Sequence, residues 1–470
     1  MSTSQPSRRR GALAQQRRDA VRRPARLLVG AVAAGATAAL AFQATAASPP
    51  SAASGAAPAR SAQELSLQDN NRAVLAEGRR TFRFDTFGDE AFWGDLLNLD
   101  AAIAGKANGG VGPGLSPRQA LALGLKVDLA ALPVTLRADI AAGKVNLNDP
   151  KVTLALLRLN SVVGVKGFFD ARGNLRSVGI QCALCHSTVN DSFAPGIGTR
   201  RDGWANRDLN VGAIIGLSPN LQPVASLLHT NVATVHKVLN SWGPGKFDAQ
   251  LFLDGKAFQP NGRSAASVLP PAFGLRGVNL VTTTGFGSMT YWNAFVANLE
   301  MHGQGTFFDT RLDNKQQFPI AAENRFGHTE ARVDRITPKL GALQVYQLSL
   351  DAPKPPKGSF NAKAAARGKM LFSGKADCAR CHVPPLFTEP GWNMHTPDKI
   401  GIDSFQADRS PTHMYRTSPL RGLWTHRKRG FYHDGRYADL HAVVRHYNST
   451  FGLKLTSAQQ DDLVQYLLSL

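Results

Sequence analysis

Apolar residues recur at helical spacing along several stretches of this 470-residue chain. Residues 64–84 carry Leu65, Leu67, Val74 and Leu75 among polar positions and run into Gly78-Arg79-Arg80-Thr81-Phe82, a spacing that predicts a helix. The same reading predicts helices over 97–103, 117–125, 150–163, 224–239, 337–350, 440–447 and 457–470, and one after Ser359 or Asn361 that runs through Phe372. Ser116 and Asp149 precede Pro117 and Pro150, a capping residue followed by proline at the first helical position. The strand signal is thin. Residues 167–180 read as a short hairpin around Arg172-Gly173-Asn174. Residues 104–116 are a Gly-rich loop, 258–271 are irregular, and the Pro/Lys stretch 351–358 reads as a linker. The expectation is a mostly α chain divided there, into 63–350 and 359–470.

The pattern also repeats. Gly78 and Phe82 are matched by Gly368 and Phe372. Tyr346-Gln347-Leu348-Ser349-Leu350 precedes the linker, and Tyr466-Leu467-Leu468-Ser469-Leu470 ends the chain. Pro271-Ala272-Phe273-Gly274-Leu275-Arg276-Gly277 loosely matches Pro419-Leu420-Arg421-Gly422, which sets Tyr291-Trp292 opposite Tyr432-His433. Two related units are expected. The first is padded with insertions, which predicts the more elaborate pocket there.

Composition adds little until the N-terminus is considered. A hydrophobic share of 43% allows an ordinary packed core. The formal net charge is +20, and removing the eight arginines and one aspartate of residues 1–47 lowers it to +13. Those residues read as a signal peptide: arginines from Arg8 to Arg26, an apolar run 27–42, and a small-residue cleavage site at Ala44-Thr45-Ala46. Residues 48–62, rich in Ala, Ser and Pro, read as a disordered leader. The expectation is an exported protein, periplasmic or secreted, with no stable membrane span after cleavage. No nucleic-acid motif accompanies the charge, so no nucleic-acid partner is expected.

The chemistry is concentrated in two five-residue runs. Cys182-Ala183-Leu184-Cys185-His186 and Cys378-Ala379-Arg380-Cys381-His382 use all four cysteines of the chain. Two cysteines two apart with histidine next is the c-type haem attachment pattern. The thiols form thioethers to the haem, and the histidine becomes an axial iron ligand. Two haem c groups are therefore expected, held by Cys182, Cys185 and His186 and by Cys378, Cys381 and His382.

Residues 361–470 resemble a family. Tyr415-Arg416-Thr417-Ser418-Pro419-Leu420-Arg421-Gly422-Leu423, Phe431-Tyr432-His433-Asp434-Gly435-Arg436 and the run 440–448 are similar to the C-terminal domain of the bacterial di-haem cytochrome c peroxidase superfamily. That superfamily includes the methylamine-dehydrogenase maturation enzyme and, more distantly, the di-haem rubber oxygenases. The resemblance is weaker over 176–350, and the aromatic and acidic segment Asp85–Trp93 has no counterpart in it. It implies two mostly helical cytochrome c-like domains, the first enlarged by insertions, with haems facing across an interface. The C-terminal haem passes electrons, and the N-terminal haem reacts with peroxide or oxygen.

The resemblance also implies site residues. The second haem's far ligand is Met in the peroxidases and Tyr in the maturation enzyme. Here the helix offers His446 and Tyr447, and neighbours on a helix point about 100° apart, so only one can face the iron. His446 is preferred, because imidazole suits an electron-transfer haem; Met394 and Met414 are further alternatives. For the first haem, the loop 194–202 lacks the histidine that closes the iron in resting peroxidases. An open iron is expected unless Met301 or His302 closes it. Trp292 matches the inter-haem tryptophan through the repeat. Glu300 and Gln304, or else Arg200 or Arg201, are candidates for moving a proton and stabilising charge over an open face. His433 and Arg436 are expected to support the second haem. The resulting expectation is a peroxidase-like oxidoreductase that takes electrons from a small redox protein, a cytochrome c or cupredoxin. The alternatives are a non-catalytic electron carrier and an oxygenase acting on an apolar substrate.

Overall fold

The structure, a computed structural model, describes residues 62–470. The expected signal peptide (1–47) and leader (48–62) lie outside these residues, apart from residue 62 at the leader's edge. The described chain is mostly helical, and its strands form six two-stranded ribbons. No described helix is long and apolar enough to cross a membrane.

The repeated sequence signatures become the same packing device twice. Helix Ala62–Phe84 crosses helix Thr337–Ser349, and helix Ala362–Ser373 crosses helix Ser457–Ser469. Each crossing is centred on a glycine. A Cβ at Gly78 would stand 2.0 Å from the Ala342 carbonyl oxygen, and one at Gly368 would stand 2.0 Å from that of Asp462. Only a residue without a side chain lets two helix backbones approach so closely. One turn on, Phe82 packs against Tyr346 at 5.6 Å between ring centres, and Phe372 against Tyr466 at 5.2 Å. The serines of the two closing motifs, Ser349 and Ser469, each donate to the carbonyl of their own tyrosine at 2.6 Å.

Most local expectations hold. Ser116 makes a capping box with Gln119 at the head of helix Pro117–Ala122, and Asp149 caps Pro150–Arg158. The hairpin is Val165–Phe169 paired with Leu175–Ile180. Two expectations need correction. The single helix over 224–239 is two helices, Gln222–Leu227 and Val232–Trp242, because His229 takes φ +50° and Asn231 caps the second through Thr234 N at 2.9 Å. The repeat also aligns differently around Trp292. The backbone bridge Val281–Gly287 is the counterpart of Phe431–Tyr437, with Thr282 (φ +65°) and Gly285 (φ +56°) standing for Tyr432 (φ +68°) and Gly435 (φ +76°). Ser288 then caps helix Met289–Phe295 as Asp439 caps Leu440–Thr450. Tyr291 and Trp292 therefore lie inside the next helix, and threonines fill the positions of the aromatic pair.

Gly78→Ala and Gly368→Ala should each destabilise the fold by about 1–3 kcal/mol, because the added methyl meets backbone across the crossing. Gly341→Ala serves as the control: it is also helical, but a Cβ there has nothing within 4 Å, so it should stabilise by about 0.5–1 kcal/mol. Urea unfolding of the three variants separates these outcomes.

Candidate functional site

The first cysteine motif forms the short helix Ala183–His186 at the end of the hairpin. Cys182, Cys185 and His186 are surrounded by protein yet only half-buried, so they face an internal crevice. Cys378 and His382 of the second motif behave the same way. All four thiols are unbridged, and burial pushes those of Cys182, Cys185 and Cys378 up to about 12. They are neutral thiols, which suits thioether formation better than a thiolate metal cluster. Cys381 also lies with Glu389 and His395 in a group whose ligand atoms are within 4.8 Å, but His395 and Thr417 already occupy Glu389 at 2.6 Å each.

The motif histidines are held alike. His186 Nδ1 lies 3.2 Å from the Pro270 carbonyl oxygen, and His382 Nδ1 lies 3.2 Å from that of Phe387. A carbonyl only accepts, so Nδ1 carries the hydrogen and Nε2 keeps its lone pair. Burial lowers both imidazole pKa values, that of His382 to about 4, so both rings are neutral. This is the state an iron ligand requires.

Two guanidinium groups are buried between the halves. Arg207, from the first half, donates to the carbonyls of Lys428 and Gly430 at 3.3 and 3.4 Å. Arg416, from the second half, donates to the Thr282 carbonyl at 2.8 Å. Neither has a carboxylate partner among the described residues, each keeps a buried nitrogen without a partner, and burial lowers both to about 10. A cation buried without a counter-charge is costly. The propionates of a haem are anions of the kind both positions would take, so the residues present fit the group.

The residues on the far side of the two motifs differ. His446 is committed to protein: Nε2 lies 3.0 Å from the Ile400 carbonyl oxygen and Nδ1 3.4 Å from Thr450 Oγ1. Its neighbour Tyr447 is surrounded by protein, within electrostatic reach of Cys378 and Cys381, and close to Tyr432 at 6.2 Å between rings. Met394 pairs with Arg416 in a two-residue ribbon, and Met414 is exposed. Arg436 is bound to Asp434 and Asp403, and His433 stacks on Tyr415 at 5.1 Å.

Around the first motif, Glu300 is 7% exposed, is within electrostatic reach of Cys185 and Asp248, and has Oε2 without a partner. Burial first, and then the Asp248 charge, hold its carboxyl well above the usual range. Glu300 closes a π-helical turn, Val296–Glu300, a distortion common at functional sites. His302 stacks on Phe92 at 3.6 Å between ring centres and has φ +59°. Its Nε2 is buried without a partner, and burial lowers its pKa to about 4. Met301 is packed in the core, its carbonyl accepting from Trp93 Nε1 at 2.9 Å. Gln304 is tied to Arg335 and to the Gly88 carbonyl. Arg200 is paired with Asp202 at 2.8 Å, and Arg201 lies over Trp204 at 4.4 Å. Trp292 belongs to an aromatic core with Phe286 and Phe295.

Three features carried no sequence signal. Trp204 meets Trp424 edge to face at 5.4 Å, one indole from each half. The backbone flanking Trp204 is bonded to the first motif, Gly203 N to His186 O at 2.8 Å and Asn206 N to Cys185 O at 2.9 Å. Arg409, from the second half, is fully buried against Asp248 and Asp254 of the first. Asp89 is fully buried beneath Ile180 N and is pushed up to about 10 by burial. The arginines and Asp89 were legible only as ordinary charged residues.

Comparison with known proteins agrees with the resemblance. No family model matches the chain. It is 24% identical to cytochrome-c peroxidase IdrP1 of Denitromonas iodatirespirans over 42% of this chain and 68% of that protein. It is 34% identical to methylamine utilization protein MauG of Methylorubrum extorquens over 23% of this chain, which spans only 34% of MauG. Among solved structures it is similar to a MauG-like protein associated with microbial copper homeostasis (17% identity, TM-score 0.30, covering 45% of this chain and 76% of that one). It is also similar to Kuenenia stuttgartiensis hydrazine synthase (17% identity, TM-score 0.26, covering 47% and 86%). The chain is thus similar in sequence to the di-haem cytochrome c peroxidase superfamily.

Asp89 gives a prediction with a definite sign. Its folded pKa, about 10, lies above the unfolded value of about 3.9. The folded state therefore holds a proton that the unfolded state releases, and stability falls as pH rises between those values. Asp89→Asn removes this slope. Its stability relative to the parent should increase from pH 5 to pH 8 in urea titrations, and parallel curves would refute the protonated assignment.

Proposed function

We propose that the chain is a peroxidase-like oxidoreductase carrying two covalent haem c groups, in cytochrome c-like domains 63–350 and 359–470 joined by the linker 351–358. The observation that carries this reading is the matched state of His186 and His382: each is neutral and held at Nδ1 by a carbonyl, beside two unbridged thiols. Haem, when bound, supplies iron that exchanges single electrons and can accept a small oxidant at an open face.

The residues divide the labour. At the second motif we assign the far side to Tyr447, because both nitrogens of His446 are spent on Ile400 and Thr450. At the first motif, Glu300 acts as a neutral acid that donates its proton to an oxygen gaining negative charge. His302, neutral with a free Nε2, offers a hydrogen bond to the same small ligand. The Phe92, Trp93 and Phe252 rings around it keep bulk water out. Arg207 and Arg416 balance the propionates. The Trp204–Trp424 contact is the shortest aromatic bridge described between the halves, and we assign to it the passage of electrons toward the first motif. The donor is a small redox protein, and the net positive charge favours an acidic one. Export through residues 1–47 would put both proteins in the periplasm or outside the cell. A plain electron carrier is the less favoured reading, because it has no use for an acid and an imidazole buried without partners.

Electron paramagnetic resonance of the oxidised protein should show one high-spin and one low-spin haem. Two low-spin signals with no reaction toward hydrogen peroxide would sink the enzyme reading. Glu300→Gln should slow the peroxide reaction by about 10²–10⁴-fold while leaving both haems attached.

Tyr447→Phe should change the low-spin signal, and His446→Leu should leave it in place. The opposite result would assign the ligand to His446.

A further inference from the structure

The stretch between the first motif and Pro271 is much longer than its counterpart between the second motif and Pro419. It supplies most of the wall of an internal cavity of about 20 Å³. Val235, Leu239 and Trp242 come from helix Val232–Trp242, and Phe252 comes from the short helix Leu251–Asp254. Phe92 and Trp93 close the cavity from the π-helical turn Ala91–Leu96. A water needs roughly 10–15 Å³, so one small molecule fits. The wall presents no polar surface. Of its two indole nitrogens, Trp93 Nε1 donates to Met301 O at 2.9 Å and Trp242 Nε1 is buried without a partner, and neither faces the cavity. Water would give up its hydrogen bonds there, so the cavity favours an apolar occupant.

The cavity shares its aromatic wall with the candidate site. Phe92 stacks on His302 at 3.6 Å between ring centres, and Phe252 and Trp93 meet the same imidazole at 5.8 and 6.2 Å. One ring layer therefore stands between the cavity and His302, two residues beyond Glu300. Cys185 of the first motif packs against the same apolar cluster as the cavity wall. Phe92 and Phe252 are half-buried, whereas Trp93, Val235, Leu239 and Trp242 are buried. The ring layer is thus looser than the wall behind it, and rotation of either phenyl ring would join the two spaces.

We infer that this cavity is a binding site for a small apolar gas molecule, dioxygen by class, held one ring layer from His302. Hydrogen peroxide does not suit it, because a peroxide carries two O–H donors and the wall offers no acceptor. The use of the gas at the first motif rests on the role proposed for that motif. The site itself does not.

Crystals of the haem-loaded protein pressurised with xenon test this, because xenon enters dry apolar cavities. Xenon should be found between Trp93, Leu239 and Trp242. A separate apolar cavity of about 40 Å³, lined by Ile103, Val152 and Leu156 among others, shares none of these walls and serves as the control. Val235→Ile, which adds one methylene to the wall, should abolish xenon in the first cavity and leave the control cavity filled. In stopped-flow mixing, the same variant should slow the reaction of the reduced protein with dioxygen severalfold and leave the reaction with hydrogen peroxide unchanged. Val152→Ile, in the control cavity, should change neither rate. Xenon in the control cavity but not in the first overturns the inference, whatever the variants do. Reaction with peroxide and none with dioxygen overturns dioxygen as the occupant. Xenon displaced by Val235→Ile with an unmoved dioxygen rate overturns the use assigned to the cavity. A protein that reacts with neither oxidant overturns the peroxidase-like reading instead, and the xenon result alone then decides the site.

Discussion

Two helix backbones in direct contact at a glycine set the position of each cysteine motif. At Gly78 the neighbouring helix comes so close that no side chain fits, and this brings Phe82 and Tyr346 together one turn later. Ala183, inside the first motif, is buried in the same cluster as those two rings. At Gly368 the sequence of contacts is the same: Phe372 and Tyr466 pack together, and Cys378 and Ala379 pack against them. The motif is thus the third layer on a rigid crossing. A crevice for a large flat group must stay open in the folded chain, and close-packed interiors tend to collapse around unsupported space. Stiffness at the crossing is what resists this.

The junction between the halves is built on charge more than on apolar area. Arg207 reaches carbonyls of the second half, and the Arg416 guanidinium reaches the Thr282 carbonyl of the first. Lys428 pairs with Asp208 at 2.6 Å, and Arg409 is buried in the first half. Buried guanidinium groups without carboxylates weaken a junction unless an anion joins them. Carboxylates carried on a cofactor in each crevice would supply it, and would make cofactor insertion and docking of the halves one event.

The parts of this architecture made by local sequence were legible from it. The glycine and phenylalanine one turn apart, the closing Tyr-x-x-Ser-Leu, the capping Ser116 and both cysteine motifs act within a few residues of themselves. The parts made by distant partners were not. Arg409 and Asp248 look like surface charges until the fold brings them together. Trp204 sits in a loop and Trp424 in a single 3-10 turn, Leu423–Thr425, far apart in sequence. The repeat around Trp292 was misaligned for a physical reason: Thr282 and Gly285 keep the backbone turn of Tyr432 and Gly435 but not the side chains. Matching by aromatic identity slid onto the next aromatic pair. Between His446 and Tyr447, ligand preference favoured imidazole, but the Ile400 carbonyl that meets His446 Nε2 comes from 46 residues away, where sequence gives no view of it.

The difference between the two units traces to Asp85–Trp93, the segment the resemblance leaves out. In the second unit helix Ala362–Ser373 runs almost directly into Cys378. In the first, the chain leaves Phe84 and makes a π-helical turn, Ala91–Leu96, before the long path to Cys182. Residues 87–93 grip the stretch just beyond the other π-helical turn, Val296–Glu300. Trp93 donates to Met301 O at 2.9 Å, Phe87 O accepts from Gln304 N at 2.8 Å, and Phe92 covers His302. Glu300 and His302 are therefore held from outside by a segment with no equivalent in the second unit. Neither needs to satisfy its own polar atoms to stay in place, which is how an acid and an imidazole can wait unpartnered in an interior that otherwise penalises them. The duplication supplied two equivalent frames, and the inserted clamp gave one of them its unpartnered acid and imidazole.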